Sequence, residues 1–230
     1  MNSVQLIQDC LTNSESKLES AKLLGDNTKY EEAIFFAIIA YEEAGKADFL
    51  INKIVNKEQI FSNDWDSLTK GGSHTKKLIM YYENRKKTFE MMTDSDFRTL
   101  QNHYKKTFPV TQSHNEVIDE LQKKIDCFKK LNILKKNITY VDNQQNHPNF
   151  TENELNAIYL MLDFETKLSI SLTKLGLDIN SITPTGNNSE DLKQIDKFDS
   201  FKKMIELQKE STESNNIKQF ALAKSILKNL

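Results

Sequence analysis

The sequence predicts an all-α protein, a helical bundle followed by a C-terminal helical extension. Two observations carry that reading. The 230 residues include only six Gly and three Pro, too few for the tight turns that a sandwich or barrel of short strands requires. Apolar residues also recur at three- and four-residue spacing along most of the chain, the period of a helix with one buried side. No fixed-period repeat marks a solenoid.

Val4, Leu6, Ile7, Leu11, Leu18, Ala21 and Leu24 predict a first helix, with Gly25, Asp26 and Asn27 as its stop. Asn27 or Thr28 caps a second, which runs through Ala33, Ile34, Ala37, Ile38 and Tyr41 toward Asn56. It is apolar nearly all round, so it belongs at the centre of the bundle. The stretch from Phe61 to Gly72, with the lone Trp65, reads as a loop. Ser73 is a candidate cap for a helix to about Met92, and a short helix from Asp94 to Lys106 stops before Pro109.

Ser113 opens a long helix to about Lys136, buried through Val117, Leu121, Ile125, Phe128, Leu131 and Leu134 and lysine-rich outside. Asn137 to Asn149 reads as a loop. Thr151 and Glu154 form a capping box for a helix that Gly176 ends. Beyond the linker at 177–188, which contains Pro184 and Gly186, two amphipathic stripes follow, Leu192 to Ile205 and Ile217 to Leu227. The expected division is a bundle over 1–176 and an extension over 189–230. The pattern leaves open whether that extension packs back on the bundle or offers a partner surface.

The 31 basic and 33 acidic side chains nearly cancel, so no overall field draws the chain to nucleic acid or an anionic membrane, although a local basic face remains compatible. The longest apolar run, Ala33 to Tyr41, is far shorter than the roughly 20 residues a membrane helix needs. The first residues show no secretion signal, and the expectation is a cytoplasmic protein that engages no membrane. Cys10 and Cys127 lack a Cys-x-x-Cys spacing and read as reduced packing residues.

Charge enters the central helix at Tyr41-Glu42-Glu43-Ala44-Gly45-Lys46. By the helical period Glu43 shares a stripe with Phe36, Ala40, Ala47 and Leu50, and Glu42 and Lys46 share its neighbour with Phe35, Ile39 and Phe49. A carboxylate in such a setting needs a partner, because an unpaired buried charge costs several kcal/mol. Glu42 and Lys46 are spaced to pair on their own helix, leaving Glu43 for a cation from the face of His74 and Lys77. One reading is an ion-pair network that fixes helix register. The other is a polar cleft where acid, imidazole and ammonium converge, beside a helix start whose free N–H groups suit a phosphate.

The segments Ala40-Tyr41-Glu42-Glu43-Ala44-Gly45-Lys46, Ser73-His74-Thr75-Lys76-Lys77-Leu78 and Tyr140-Val141-Asp142, in that order, resemble the AbiV-type abortive infection proteins of the HEPN group. The resemblance spans roughly residues 20 to 175. It implies a HEPN-like bundle, a homodimer, and a role in stopping phage production. Nucleases of the wider group use Arg, four to six residues, then His, without metal, and Arg98-Thr99-Leu100-Gln101-Asn102-His103 has that form. An ordinary exposed pair is the alternative account of it. Lys135 and Lys136 stand before Tyr140 where an arginine would be sought.

The candidate catalytic residues are thus His74, Lys77, Glu43, Lys46, Glu42, Arg98 and His103. As partners the resemblance implies an RNA or ribosome-associated target and a phage protein as activator. No Glu-x-x-His pair, Gly-x-Gly-x-x-Gly or Walker-type loop is present, so neither metal nor cofactor is expected. His114 and His147 read as solvent-exposed. The expected function is an antiphage effector acting by metal-independent RNA cleavage; the alternative is a binding protein that blocks translation or a phage factor without chemistry.

Overall fold

A computed structural model of the chain describes residues 3–69, 74–104, 112–139, 149–182 and 194–230. Its first two helices are α1 (Ser3–Asp26) and α2 (Tyr30–Val55), followed by α3 (Ser62–Thr69), α4 (His74–Met91) and α5 (Asp94–Tyr104). Then come α6 (His114–Lys129), α7 (Leu131–Thr139), α8 (Glu152–Asn180), α9 (Asp199–Ser211) and α10 (Ser214–Lys228). No strand occurs among the described residues, so the all-α expectation holds.

α2 is the axis of the molecule, packed by α1, α4, α7 and α8. Its nearly all-round apolar sequence requires this, since every face must find cover. Ala33, Ile34, Ala37, Ile38 and Tyr41 are buried in the main core with Leu78, Tyr81, Tyr82, Phe128, Leu131 and Leu162. A second core joins α1 to the later turns of α2 through Ile7, Cys10, Leu11, Ala44, Ala47 and Leu50.

The capping boxes at Ser113/Glu116 and Thr151/Glu154 are both formed, each satisfying donors that the first helical turn would leave free. The start of α2 differs from the expectation. Lys29 holds the cap position without a side-chain bond, and Thr28 sits at φ 59° in the turn. The loop expected from Phe61 is instead helical over Ser62–Thr69; eight polar-rich residues show too little periodicity to announce a helix. α1 ends at Asp26, within the stop expected at Gly25–Asn27, whereas Gly176 does not end α8, which runs on to Asn180. Both glycines are close-contact points, Gly25 buried under the Tyr159 ring and Gly176, half-buried, under Ile51. The long helix expected from Ser113 is divided at Lys130 into α6 and α7. Ser73, the loop after Tyr140 and Leu192 lie outside the described residues.

The two C-terminal helices pack back on the bundle. Both lie against α8 and α10 also meets α6. Ala223 and Leu227 enter the main core, and Phe220 stacks obliquely on Phe164, 5.1 Å between ring centroids. No described helix is long and apolar enough to cross a membrane.

Candidate functional site

Gly45 sets the geometry of the site. A Cβ there would fall far inside contact with the Lys77 carbonyl oxygen, so α2 and α4 approach as closely as backbones allow. Glu42, three residues before Gly45, faces the same neighbour. Lys77 lies under it, and His74, one turn earlier, is the first residue of α4.

Glu42 collects two ammonium groups and an imidazole from two helices. Its Oε2 accepts from His74 Nδ1 at 2.9 Å and pairs with Lys77 Nζ at 3.5 Å. Its Oε1 accepts from Lys135 Nζ at 2.9 Å. Lys135 comes from α7, which joins α4 in flanking α2; Asn132 Nδ2 braces that junction by donating to Thr75 Oγ1 at 3.2 Å. Burial alone would push the Glu42 carboxyl above its ordinary range, but Lys135, His74 and Lys77 together hold it below. Lys77 moves the other way from ordinary lysine. Burial pushes its ammonium down, and the nearby Lys46 adds to this against the pull of Glu42.

The expected pairing is therefore exchanged. Glu43 pairs with Lys46 on its own helix at 2.5 Å, and Glu42 takes the cations of α4. One residue advances a helix by about 100°, which turns Glu43 toward α1, where it and Lys46 act on the buried Cys10. The sequence placed two acids on adjacent stripes without saying which stripe meets α4. Gly45, three residues after Glu42, was the available signal.

Exposure separates the members of the cluster. Glu42 is 5% exposed and His74 is 44% exposed, so the acid is sealed while the imidazole stands at the surface. With Nδ1 committed to Glu42, Nε2 makes no hydrogen bond among the described residues. A carboxylate that holds one ring nitrogen orients the other toward solvent and stabilises the imidazolium formed when it takes up a proton.

Two further buried polar groups lie elsewhere in the core and escaped the sequence reading. Asp48 is buried, accepts from Asn84 Nδ2 at 2.7 Å and from Asn52 Nδ2 at 3.2 Å, and burial raises its carboxyl against the opposing Arg85 charge. The Arg85 guanidinium lies over the Tyr81 ring at 4.2 Å. Glu165 on α8 is buried, accepts from Tyr82 Oη, and pairs with Lys124 at 3.0 Å. Its signal was positional, since Ile158, Leu162, Glu165 and Ser169 lie along one buried side of α8.

Arg98 does not join this centre; it is exposed on α5. His103 belongs to the same helix, and its side chain lies outside the described residues. His147 also lies outside them. His114, expected in solvent, is engaged instead: Nδ1 meets Asp94 at 2.9 Å, Nε2 meets the Phe89 carbonyl at 2.7 Å, and the ring stacks on Phe97. Both partners are acceptors, so both ring nitrogens donate in the protonated form, and the Asp94 and Phe89 bonds raise its pKa. Both cysteines are free. No group of three or more His, Cys, Asp or Glu side chains is placed to hold a metal among the described residues.

The family model HEPN_AbiV, described as AbiV, matches residues 2–154. That span runs from α1 into the start of α8 and contains the whole Glu42 cluster; α9 and α10 lie beyond it. No curated protein and no solved structure matches the chain. A match over more than half the chain, together with a bundle that is helical throughout its ordered elements, establishes that the protein belongs to the AbiV family of HEPN proteins.

Proposed function

We propose that the protein is an antiphage abortive infection effector that cleaves RNA at the Glu42–His74–Lys77–Lys135 cluster. The observation that carries this reading is the exposed His74 imidazole, held through Nδ1 by a sealed carboxylate that also gathers two ammonium groups. The family supplies the defence role; the cluster supplies the chemistry.

In this reading His74 Nε2 takes the proton of a ribose 2′-OH as its oxygen attacks the adjacent phosphorus. Lys135 and Lys77 stabilise the charge that builds on the phosphorane oxygens. The bond from phosphorus to the 5′ oxygen then breaks, and an ammonium of the cluster protonates that oxygen, leaving a 2′,3′-cyclic phosphate and a 5′-hydroxyl. Lys135 is the better placed donor, because its ammonium is the more exposed of the two, 16% against 6% for Lys77. Glu43 and Lys46 act as supports that keep α2 in register. Arg98 and His103 contribute only if a second copy brings them to the cluster, and a cytoplasmic homodimer switched on by a phage protein fits the family.

The test is incubation of purified protein with total RNA, alone and with an extract of phage-infected cells. Cleavage that falls at least about 100-fold in His74→Ala and in Lys135→Met, with both variants folded, is the expected result. Absence of cleavage under both conditions, or cleavage that His103→Ala removes and His74→Ala does not, overturns the assignment. The first outcome would leave a non-catalytic blocker of translation or of a phage factor.

A further inference from the structure

α10 lies beyond the matched family region, yet it completes a cavity of about 500 Å3 against α6. Lys123, Lys124 and Lys130 line it from the α6 side, and Lys224 and Lys228 from α10. Only Glu120 and Asp126 oppose them in the lining. A chain whose net charge is −2 therefore concentrates positive charge in one concave place, where the field of several like charges adds.

The lysines are not consumed by internal pairing. Lys124 is fixed by Glu165 at 3.0 Å and lies over the Tyr82 ring. Glu120 is shared loosely between Lys224 at 3.4 Å and Lys123 at 4.0 Å. Lys130 and Lys228 make no ion pair among the described residues. Like charges held together without acids to match them raise the energy of the empty cleft, and a ligand carrying several negative charges removes that cost. Its size suits a nucleotide-sized group. Lys224 and Lys228 are one turn apart, about 6 Å along the axis, so successive charges on an extended strand meet successive ammonium groups.

α6 leads through Lys130 into α7, the helix that carries Lys135 of the Glu42 cluster.

We infer that the cleft between α6 and α10 is a second binding site, one that holds the phosphate backbone of single-stranded RNA. The substrate class rests on the nuclease reading above; the cleft itself requires no cleavage. Lysine ammonium groups read charge and not base identity, so the site grips strands without sequence preference.

The experiment measures binding of a fluorescein-labelled oligouridylate by anisotropy over a range of salt. It uses the full chain carrying His74→Ala, so failure to cut and failure to bind are read separately. Joint replacement Lys123→Gln, Lys130→Gln and Lys228→Gln is expected to weaken binding at least about ten-fold at 0.1 M salt. It should also reduce the slope of log K against log salt by about 2, the share of three single-strand phosphate contacts. A control with the same net charge, Lys22→Gln, Lys87→Gln and Lys218→Gln, should stay within about two-fold of the parent. No binding by the parent, equal losses in the two triple variants, or competition by poly-glutamate as effective as by unlabelled RNA overturns the inference. If the cleft variant binds normally while the chain with His74 intact still cuts RNA, the cleft proposal falls alone.

Discussion

Replacing Glu42 with Gln removes the negative charge while nearly preserving shape, and the structure says which neighbour suffers. His74 is 44% exposed and loses little, because water takes over. Lys135, 16% exposed, turns outward at modest cost. Lys77 is 6% exposed and has no comparable escape. It must remain charged and buried or give up its proton. Deprotonation at pH 7 from an ordinary value near 10.4 costs up to about 5 kcal/mol, and removing one partner of a buried pair typically costs about 3–5 kcal/mol. The glutamine oxygen still accepts one hydrogen bond, which recovers about 1 kcal/mol.

The expected loss for Glu42→Gln is therefore about 3 kcal/mol, a fall in Tm of roughly 6–12 °C for a chain of this length. Lys77→Met in the same chain removes the stranded charge, so the double variant should regain about 2 kcal/mol over the sum of the single effects. Urea titrations of the four proteins, with the slope m held common, measure this. The Glu42→Gln deficit should also shrink near pH 10, where Lys77 is released from carrying charge. Additivity within about 0.5 kcal/mol, or a deficit that does not change between pH 7 and pH 10, refutes the reasoning.

Gly45→Ala should cost about 3 kcal/mol or more, because the new methyl meets the Lys77 backbone and not a yielding side chain; a urea midpoint equal to that of the parent would show that α2 and α4 are not so close. Glu42 is held below its ordinary value, so its contribution is complete above about pH 4.3 and is lost as pH falls through its folded value; between pH 5 and pH 3 the parent should lose more stability than Glu42→Gln. His114 is raised, so its contribution is complete below about pH 6.5 and disappears as pH rises through its folded value; His114→Phe should flatten the change in Tm between pH 6 and pH 8. Burial pushes the Cys10 thiol up to about 12 and the Cys127 thiol up to about 11, so a disulfide reagent at pH 8 should label the folded protein slowly and both thiols promptly in denaturant.

The helices were legible because each one that carries the core repeats its pattern over three or more turns. α2 announced its central place by being apolar on every side, and Ser113 and the Thr151–Glu154 capping box announced two helix starts. α3 was not legible, since two turns of Ser, Asn and Asp with one buried leucine, Leu68, offer no stripe. Gly176 misled for a physical reason, since α8 continues past it to Asn180. Glycine serves equally as a helix stop and as the place where a helix lets a neighbour close, and only the neighbour distinguishes the two.

The site shows the same division. Acids on α2 and cations on α4 were readable as groups that had to meet. Which acid meets which cation depends on a 100° turn that long-range packing fixes. Lys135 is remote in sequence from Glu42 and stands next to Lys136 on α7, so nothing local marked it as a ligand of that carboxylate. Arg98 and His103 matched a spacing, but a spacing alone carries no information about what the side chains face.

The most direct test of the central claim uses a short oligodeoxynucleotide containing a single ribonucleotide, and the same strand with that 2′-OH replaced by hydrogen. The activated protein should cut the first strand only, on the 3′ side of the ribose, leaving a 2′,3′-cyclic phosphate, and His74→Ala should abolish the cut without moving the urea midpoint. Cutting of the all-deoxy strand, or equal cutting by His74→Ala, would contradict the assignment of the Glu42 cluster as the centre of RNA chemistry.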